Sequence, residues 1–331
     1  MTANELPWLA TWLPLMLRSQ RGHALLLHGP AAAGQFELAL AMAQAWLCEA
    51  AQADATACGR CEACTLCRAH THPDLRVLVP EAMAATLGWE PPAEPDSDSG
   101  KSKPSKDIRV EALRAAIEFA QQTSSRGRAQ VVLIHPAERM NAVSANALLK
   151  VLEEPPGRAR FILCTAAPDR LLPTLRSRCQ LVPMPSVPRD LALTWLSEQG
   201  VPSPEVLLDA AGGLPLVALE WHHRGLRPET WVRLPRALAA GDVQAVSGWP
   251  VPVLIDAMSR CCEDAMRLAV GGSPRYFPAE AWRGLQPRLP PLLVWQAELK
   301  RVARHDEHPW HAALMCDALV SSASRALHCT A

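Results

Sequence analysis

"ALLLHGPAAAGQF", residues 24–36, decides the fold. An apolar strand-like run enters a turn bounded by two glycines. "ELALAMAQAWLC" (37–48) then places Leu38, Met42, Ala45 and Trp46 at helical spacing. Strand, glycine turn and helix in that order frame a phosphate-binding loop, G-x-x-x-x-G-K-[S/T]. Gly29 and Gly34 are in register, but Gln35 stands at the lysine position and Phe36 at the hydroxyl position. In a working loop, backbone N–H groups cradle phosphates, the lysine neutralises their oxygens and the hydroxyl holds Mg²⁺. Gln35 has no charge and Phe36 offers no oxygen. The partner strand should end in acids that hold the metal, yet "QVVLI" (130–134) runs into His135 and Pro136. Four concerted departures argue against hydrolysis of Mg·ATP. On these residues alone, a glycine turn with no nucleotide ancestry is the other reading.

Working outward, "HPDLRVLVP" (72–80), "RFILCTA" (160–166) and "CQLVPM" (179–184) read as further strands. "VEALRAAIEFAQQ" (110–122) puts Val110, Leu113, Ile117 and Ala120 on one helical face, and "SANALLKVLEE" (144–154) is a helix stopped by Pro155 and Pro156. The Leu148, Leu149 and Leu152 stripe reads as core. Strand–helix alternation over 1–184 predicts an α/β domain with a mainly parallel sheet. A cysteine-dense loop is expected over 57–68, and the Pro/Ser/charge-rich stretch at about 90–106 reads as a disordered surface excursion. Beyond 185 the strand signal ends, and two all-helical domains are expected, at 185–227 and 228–331.

The chain has 331 residues with 33 basic and 33 acidic side chains, so no global charge draws it to nucleic acid or membrane. Sixteen aromatic residues and neutral balance speak against a dedicated single-strand binder. The basic pair Arg126 and Arg128 reads first as a solvated loop, with local DNA contact as the alternative. No apolar run approaches the ~18 residues of a membrane span, and no leader is read at the N-terminus. Eleven cysteines in such a chain point to a reducing compartment, where clustered thiols more often bind metal than pair. The cytoplasm is the expected location.

Two further constellations carry chemistry. Cys48, Cys58, Cys61, Cys64 and Cys67 include three tandem C-x-x-C steps. Tetrahedral zinc takes four thiolates, so one of the five is spare. Buried apolar cysteines, a redox dithiol and an iron–sulfur cluster are the competing readings; a closed structural zinc site is the expectation. In "LRSRC" (175–179), Arg178 ends a short helix between two strands, where its guanidinium can project outward or simply be solvated.

"GPAAAG", the cysteine series, "HPD", "SANALLKVLEEPP" and "TLRSRC", in this order, resemble the delta-prime subunits of bacterial DNA polymerase III clamp loaders, in the AAA+ family. The specific motifs cover 20–184 and the likeness continues more loosely beyond. The resemblance implies an AAA+ α/β domain over 1–184 with a zinc module inserted at 48–67. A helical lid follows at 185–227 and a helical collar for oligomerisation at 228–331. It implies Cys48, Cys58, Cys61 and Cys64 as ligands of one Zn²⁺, with Cys67 spare or an alternative. Ser177, Arg178 and Cys179 match the family's serine–arginine–cysteine motif, whose arginine reaches the ATP of a neighbouring motor subunit. Its sensor positions fall at Thr165 and near 212–219, where Leu214 and Pro215 replace the arginine of an active subunit. The implied partners are the gamma/tau motor and delta subunits in a hetero-pentameric ring, with the sliding clamp and primer–template DNA met through the complex. The degenerate loop at Gly29, Gly34, Gln35 and Phe36 implies that this subunit binds no ATP. It also implies a non-catalytic part of the polymerase holoenzyme. A motor ATPase with an unconventional loop and a zinc-dependent DNA-binding module are the alternatives.

Overall fold

Continuous apolar runs become buried parallel strands, because helices on both faces leave no wet side to alternate toward. The computed structural model describes residues 6–20, 22–89, 104–304 and 311–327. It divides into two compact units, 1–186 and 187–331.

The first unit runs α1 (Pro7–Ser19), β1 (Ala24–His28), α2 (Gln35–Leu47), α3 (Glu62–Arg68), β2 (Leu75–Leu78) and α4 (Glu81–Leu87). It continues with α5 (Val110–Gln121), β3 (Gln130–Ile134), α6 (Ala142–Glu153), β4 (Ala159–Thr165), α7 (Pro173–Arg178) and β5 (Gln180–Pro183). All strand pairings are parallel, in the order β2-β3-β4-β1-β5. The chain order reverses between β1 and β4, so the loop after β1 emerges at the carboxyl-end crevice where such sheets bind ligands.

One face of the sheet, through Leu26, Val132, Ile134, Phe161 and Leu163, packs on Leu113 of α5, Leu148 and Leu152 of α6 and Leu175 of α7. Leu149 packs against the same cluster, partly buried. By alternation Leu25, Leu27, Leu133 and Ile162 face the other way, toward the α2 side. Burying each such leucine or isoleucine stabilises the fold by about 1.5–3 kcal/mol.

Several elements differ from the sequence expectation. Residues 62–68, expected as loop, form α3, with Cys61 at its N-cap. Helices α1 and α4 carry no prior expectation. The excursion expected over about 90–106 lies outside the described residues as far as 103. At its far end the Ser105 N–H donates to Glu81, and the Ser105 carbonyl accepts from Ala82.

The second unit is helical among its described residues: α8 (Arg189–Glu198), α9 (Pro204–Ala210), α10 (Pro215–His223), α11 (Pro228–Ala240), α12 (Val251–Ala269), α13 (Leu289–Ala303) and α14 (Ala312–Leu327). Proline opens α9, α10 and α11, where its missing N–H has no partner to lose. The segments expected at 185–227 and 228–331 fall together in this unit apart from the first two residues. Arg260 fastens them: its guanidinium lies 4.5 Å from the Trp221 ring and 5.5 Å from Tyr276, and it bonds the Ala210 carbonyl. Asp264, fully buried, accepts the N–H groups of Arg275, Tyr276 and Phe277. No helix among the described residues is long and apolar enough to cross a membrane.

Candidate functional site

Three local arrangements occupy the first unit. The first is the cysteine group between α2 and β2. Cys48 follows the last residue of α2, Cys58 and Cys61 lie in the loop, and Cys64 is inside α3. Their four Sγ atoms all lie within 4.8 Å of one another. Tetrahedral bonds of ~2.3 Å to one ion set sulfur–sulfur spacings of about 3.8 Å; Cys48 Sγ and Cys61 Sγ are 3.8 Å apart. Backbone N–H groups support the sulfurs, Cys58 N donating to Cys48 Sγ at 3.3 Å and Cys61 N to Cys58 Sγ at 3.4 Å. Burial opposes ionisation of Cys61, but the N–H groups of Cys64 and Glu49 and the neighbouring thiols hold it down to about 6. Burial pushes Cys48 and Cys64 up. Such a split within one cluster is what an ion removes, since binding takes every thiol as thiolate. Cys67 lies outside the four; burial, with Cys61 and Cys48 nearby, pushes it up to about 12.

A set of residues missed in the sequence holds this group to the sheet. Asp74, buried in "HPD", accepts the N–H groups of Ser125 at 2.7 Å and Arg126 at 2.9 Å, and the Ser124 hydroxyl at 3.0 Å. Arg126, so placed, donates to Glu49 at 2.8 Å and Glu62 at 2.6 Å. Those acids directly follow Cys48 and Cys61. Arg128 bonds the Glu49 carbonyl at 2.8 Å. The pair read as solvated, or as a DNA patch, therefore engages the cysteine module. The "HPD" triplet was the only sequence signal for it.

The second arrangement is the glycine loop. Gly29 passes so close to β5 that a Cβ there would lie 2.7 Å from Met184 Cβ. Gly34 caps α2 with φ +88°, the left-handed region that glycine enters without penalty. Gln35 is buried and turned back into the domain. Its Nε2 donates to the Gly29 carbonyl at 2.9 Å and the Thr165 carbonyl at 3.2 Å, tying the loop to the end of β4. Phe36 is buried too, its ring 5.1 Å from the His135 ring. Burial drives the His135 pKa down to about 4, against an opposing pull from Glu138. The place where a metal and phosphates would meet charge is filled by a neutral aromatic pair. Leu6, Trp8 and Leu9, at the start of α1, close over Gly34 within 4 Å of where its Cβ would be. Thr165, expected as a sensor, is buried, and its hydroxyl accepts the Ala167 N–H at 3.0 Å.

The third arrangement is α7. Leu175 and Cys179 enter the core and Ser177 is exposed, its hydroxyl donating to the Thr174 carbonyl at 3.0 Å. Burial pushes the Cys179 thiol up to about 12, so it packs as an apolar group. The Arg178 side chain is 33% exposed at the helix end. Its Nη1 donates to the Thr174 carbonyl at 3.0 Å, and its Nε and Nη2 to Glu153 of α6.

Comparison with known proteins covers the residues that carry these motifs. Residues 13–188 match the family described as DNA polymerase III, delta subunit. A DNA polymerase III subunit delta' from Pseudomonas aeruginosa is 41% identical over 269 residues, 77% of this chain and 75% of the relative. The subunit delta' of Escherichia coli K12 is 33% identical over 276 residues, 77% of this chain and 76% of its own. A solved DNA polymerase III gamma subunit-related protein from Thermotoga maritima aligns over 96% of this chain and 99% of its own, with a TM-score of 0.47 and 16% identity.

Proposed function

The chain belongs to the DNA polymerase III delta subunit family, among relatives named delta', and from that premise we propose a non-hydrolysing clamp-loader subunit that donates Arg178 to a neighbour's ATP. It stands in a hetero-pentameric ring with gamma/tau motor and delta subunits, as the helical 187–331 unit would allow. The ring loads a sliding clamp on primer–template DNA, in the cytoplasm.

One observation carries this reading: the loop is completed by its own side chains, while Arg178, before the neighbouring strand β5, is a third exposed at the surface. Gln35 uses its amide to brace Gly29 and Thr165, so it is not available to phosphate. Phe36 and His135 leave no oxygen for Mg²⁺. Arg178, in contrast, presents a planar cation at the surface, the group that stabilises charge developing on a transferring phosphoryl. The four converging thiols fit one Zn²⁺, which would hold 48–64 in place structurally and supply no reaction.

A reconstituted loader carrying Arg178→Ala tests the proposal. Hydrolysis at the adjoining motor site is expected to fall by about 10³-fold, the lower range for a lost arginine finger. DNA-stimulated hydrolysis at wild-type rate would overturn the role. Micromolar ATP binding by the isolated chain would instead favour a motor with an unconventional loop.

A further inference from the structure

Arg178 does not stand free. One carboxylate oxygen of Glu153 accepts from both its Nε and Nη2, and the Thr174 carbonyl accepts from Nη1 at 3.0 Å. Three nitrogens of the guanidinium are therefore occupied before any partner arrives. Core packing brings the two helices to where the pair can form. Leu152, one residue before Glu153, and Leu175, one turn before Arg178, are both buried in the same core cluster, which fixes α6 against α7. Arg176 is separately paired with Asp169 at 3.1 Å, so it does not compete for Glu153.

We infer that Glu153 is a positioning residue for Arg178: it parks the guanidinium in the unengaged chain and yields it to a neighbour's nucleotide phosphate by exchange of one anion for another. The inference rests on the reading of Arg178 as an arginine finger. The side chains are 33% and 47% exposed, so the pair is solvent-screened and weak enough to be displaced. A triphosphate offers the same planar fork more charge and more acceptor oxygens than one carboxylate. While the arginine is parked, Glu153 also carries a negative charge at the surface that the phosphate would have to approach. The finger and its keeper thus make engagement depend on a nucleotide being present across the interface.

The test uses the reconstituted loader with Glu153→Gln, which keeps shape and removes the charge. The expected result is an ATP KM lowered about threefold with kcat retained, the scale of one exposed ion pair. That gain should disappear in about 1 M salt, where charges are screened within ~3 Å, a signature that a packing defect would not produce. Glu153→Asp, with its charge drawn back, is expected to fall between wild type and Gln. An unchanged KM, or a fall in kcat matching that of Arg178→Ala, would overturn the inference. Should Glu153→Gln not assemble, Glu153→Asp gives the same reading with the same two outcomes. If Arg178→Ala abolishes hydrolysis while both Glu153 variants leave KM alone, only the keeper role fails. If Arg178→Ala leaves hydrolysis intact, the finger itself fails.

Discussion

The cysteine group and the glycine loop share one sheet and one helix, α2, yet are finished in opposite ways. At the C-terminal end of α2, four Sγ atoms lie within 4.8 Å of one another. At its N-terminal end, Gln35 satisfies two carbonyls, Phe36 meets His135, and α1 closes over Gly34. The first site is arranged as an ion would need it, and the second is completed by its own side chains. Degeneracy here is therefore not a vacant pocket. Where the phosphate-loop pattern would place ligand chemistry, internal packing and hydrogen bonds stabilise the backbone.

The largest expected effect is on the cysteine site. Stripping metal, or replacing Cys61 with Ala, is expected to release residues 48–68 from protection against hydrogen exchange, since structural zinc contributes about 10–16 kcal/mol in small zinc modules. Cys67→Ala should leave bound zinc at about one ion per chain. Metal analysis finding no zinc, or full protection after chelation, would erase the contrast between the two sites.

The next effect belongs to His135, inside the completed site. Its pKa falls from an ordinary 6.5 to about 4 through burial. The unfolded chain therefore takes up a proton that the folded chain refuses between those values. Stability is full above pH 6.5 and is lost as pH falls toward 4, by up to about 3 kcal/mol at 1.36 kcal/mol per unit. His135→Leu should flatten that limb of a denaturation series measured from pH 7 to 4; an unaltered limb would place the titration elsewhere.

The smallest effect is expected at Gln35. Gln35→Ala removes the side-chain donor of the Gly29 carbonyl and leaves the Thr165 carbonyl only the Gly29 N–H, and should lower stability by about 1–3 kcal/mol in urea unfolding. Gln35→Lys restores the missing cation but not an oxygen at 36 or an acid at 135. No micromolar ATP isotherm should appear, and its appearance would mean that the site is only one residue from function.

Much of this was legible in residue order. Continuous apolar strands, proline stops and glycine spacing are local signals, so the sheet, α2, α5 and α6 could be read within a few residues of their ends. Helix α3 was not, because cysteine and threonine in "EACTLCR" obscure helical periodicity, and the helix is fixed by thiols that must converge. Helix α1 was not, because Pro14 inside it is a sequence signal for a helix stop and its burial is owed to a loop it covers. The Arg126 and Arg128 pair looked free because the Glu49 and Glu62 carboxylates and the Glu49 carbonyl that they meet lie far off in the chain.

Sequence by itself determined what each site had lost or kept: no lysine, no hydroxyl, no acids, five clustered thiols and one arginine at a helix end. Only the tertiary structure decided what stands in their place. Gln35 meets Thr165 across 130 positions, Arg126 meets Glu49 across 77, and Arg178 meets Glu153 across 25. Such pairs have no period or spacing to betray them. They exist because a parallel sheet gathers the ends of distant strands at shared edges, the carboxyl edge for the first pair and the amino edge for the other two, and its buried leucines hold the helices there.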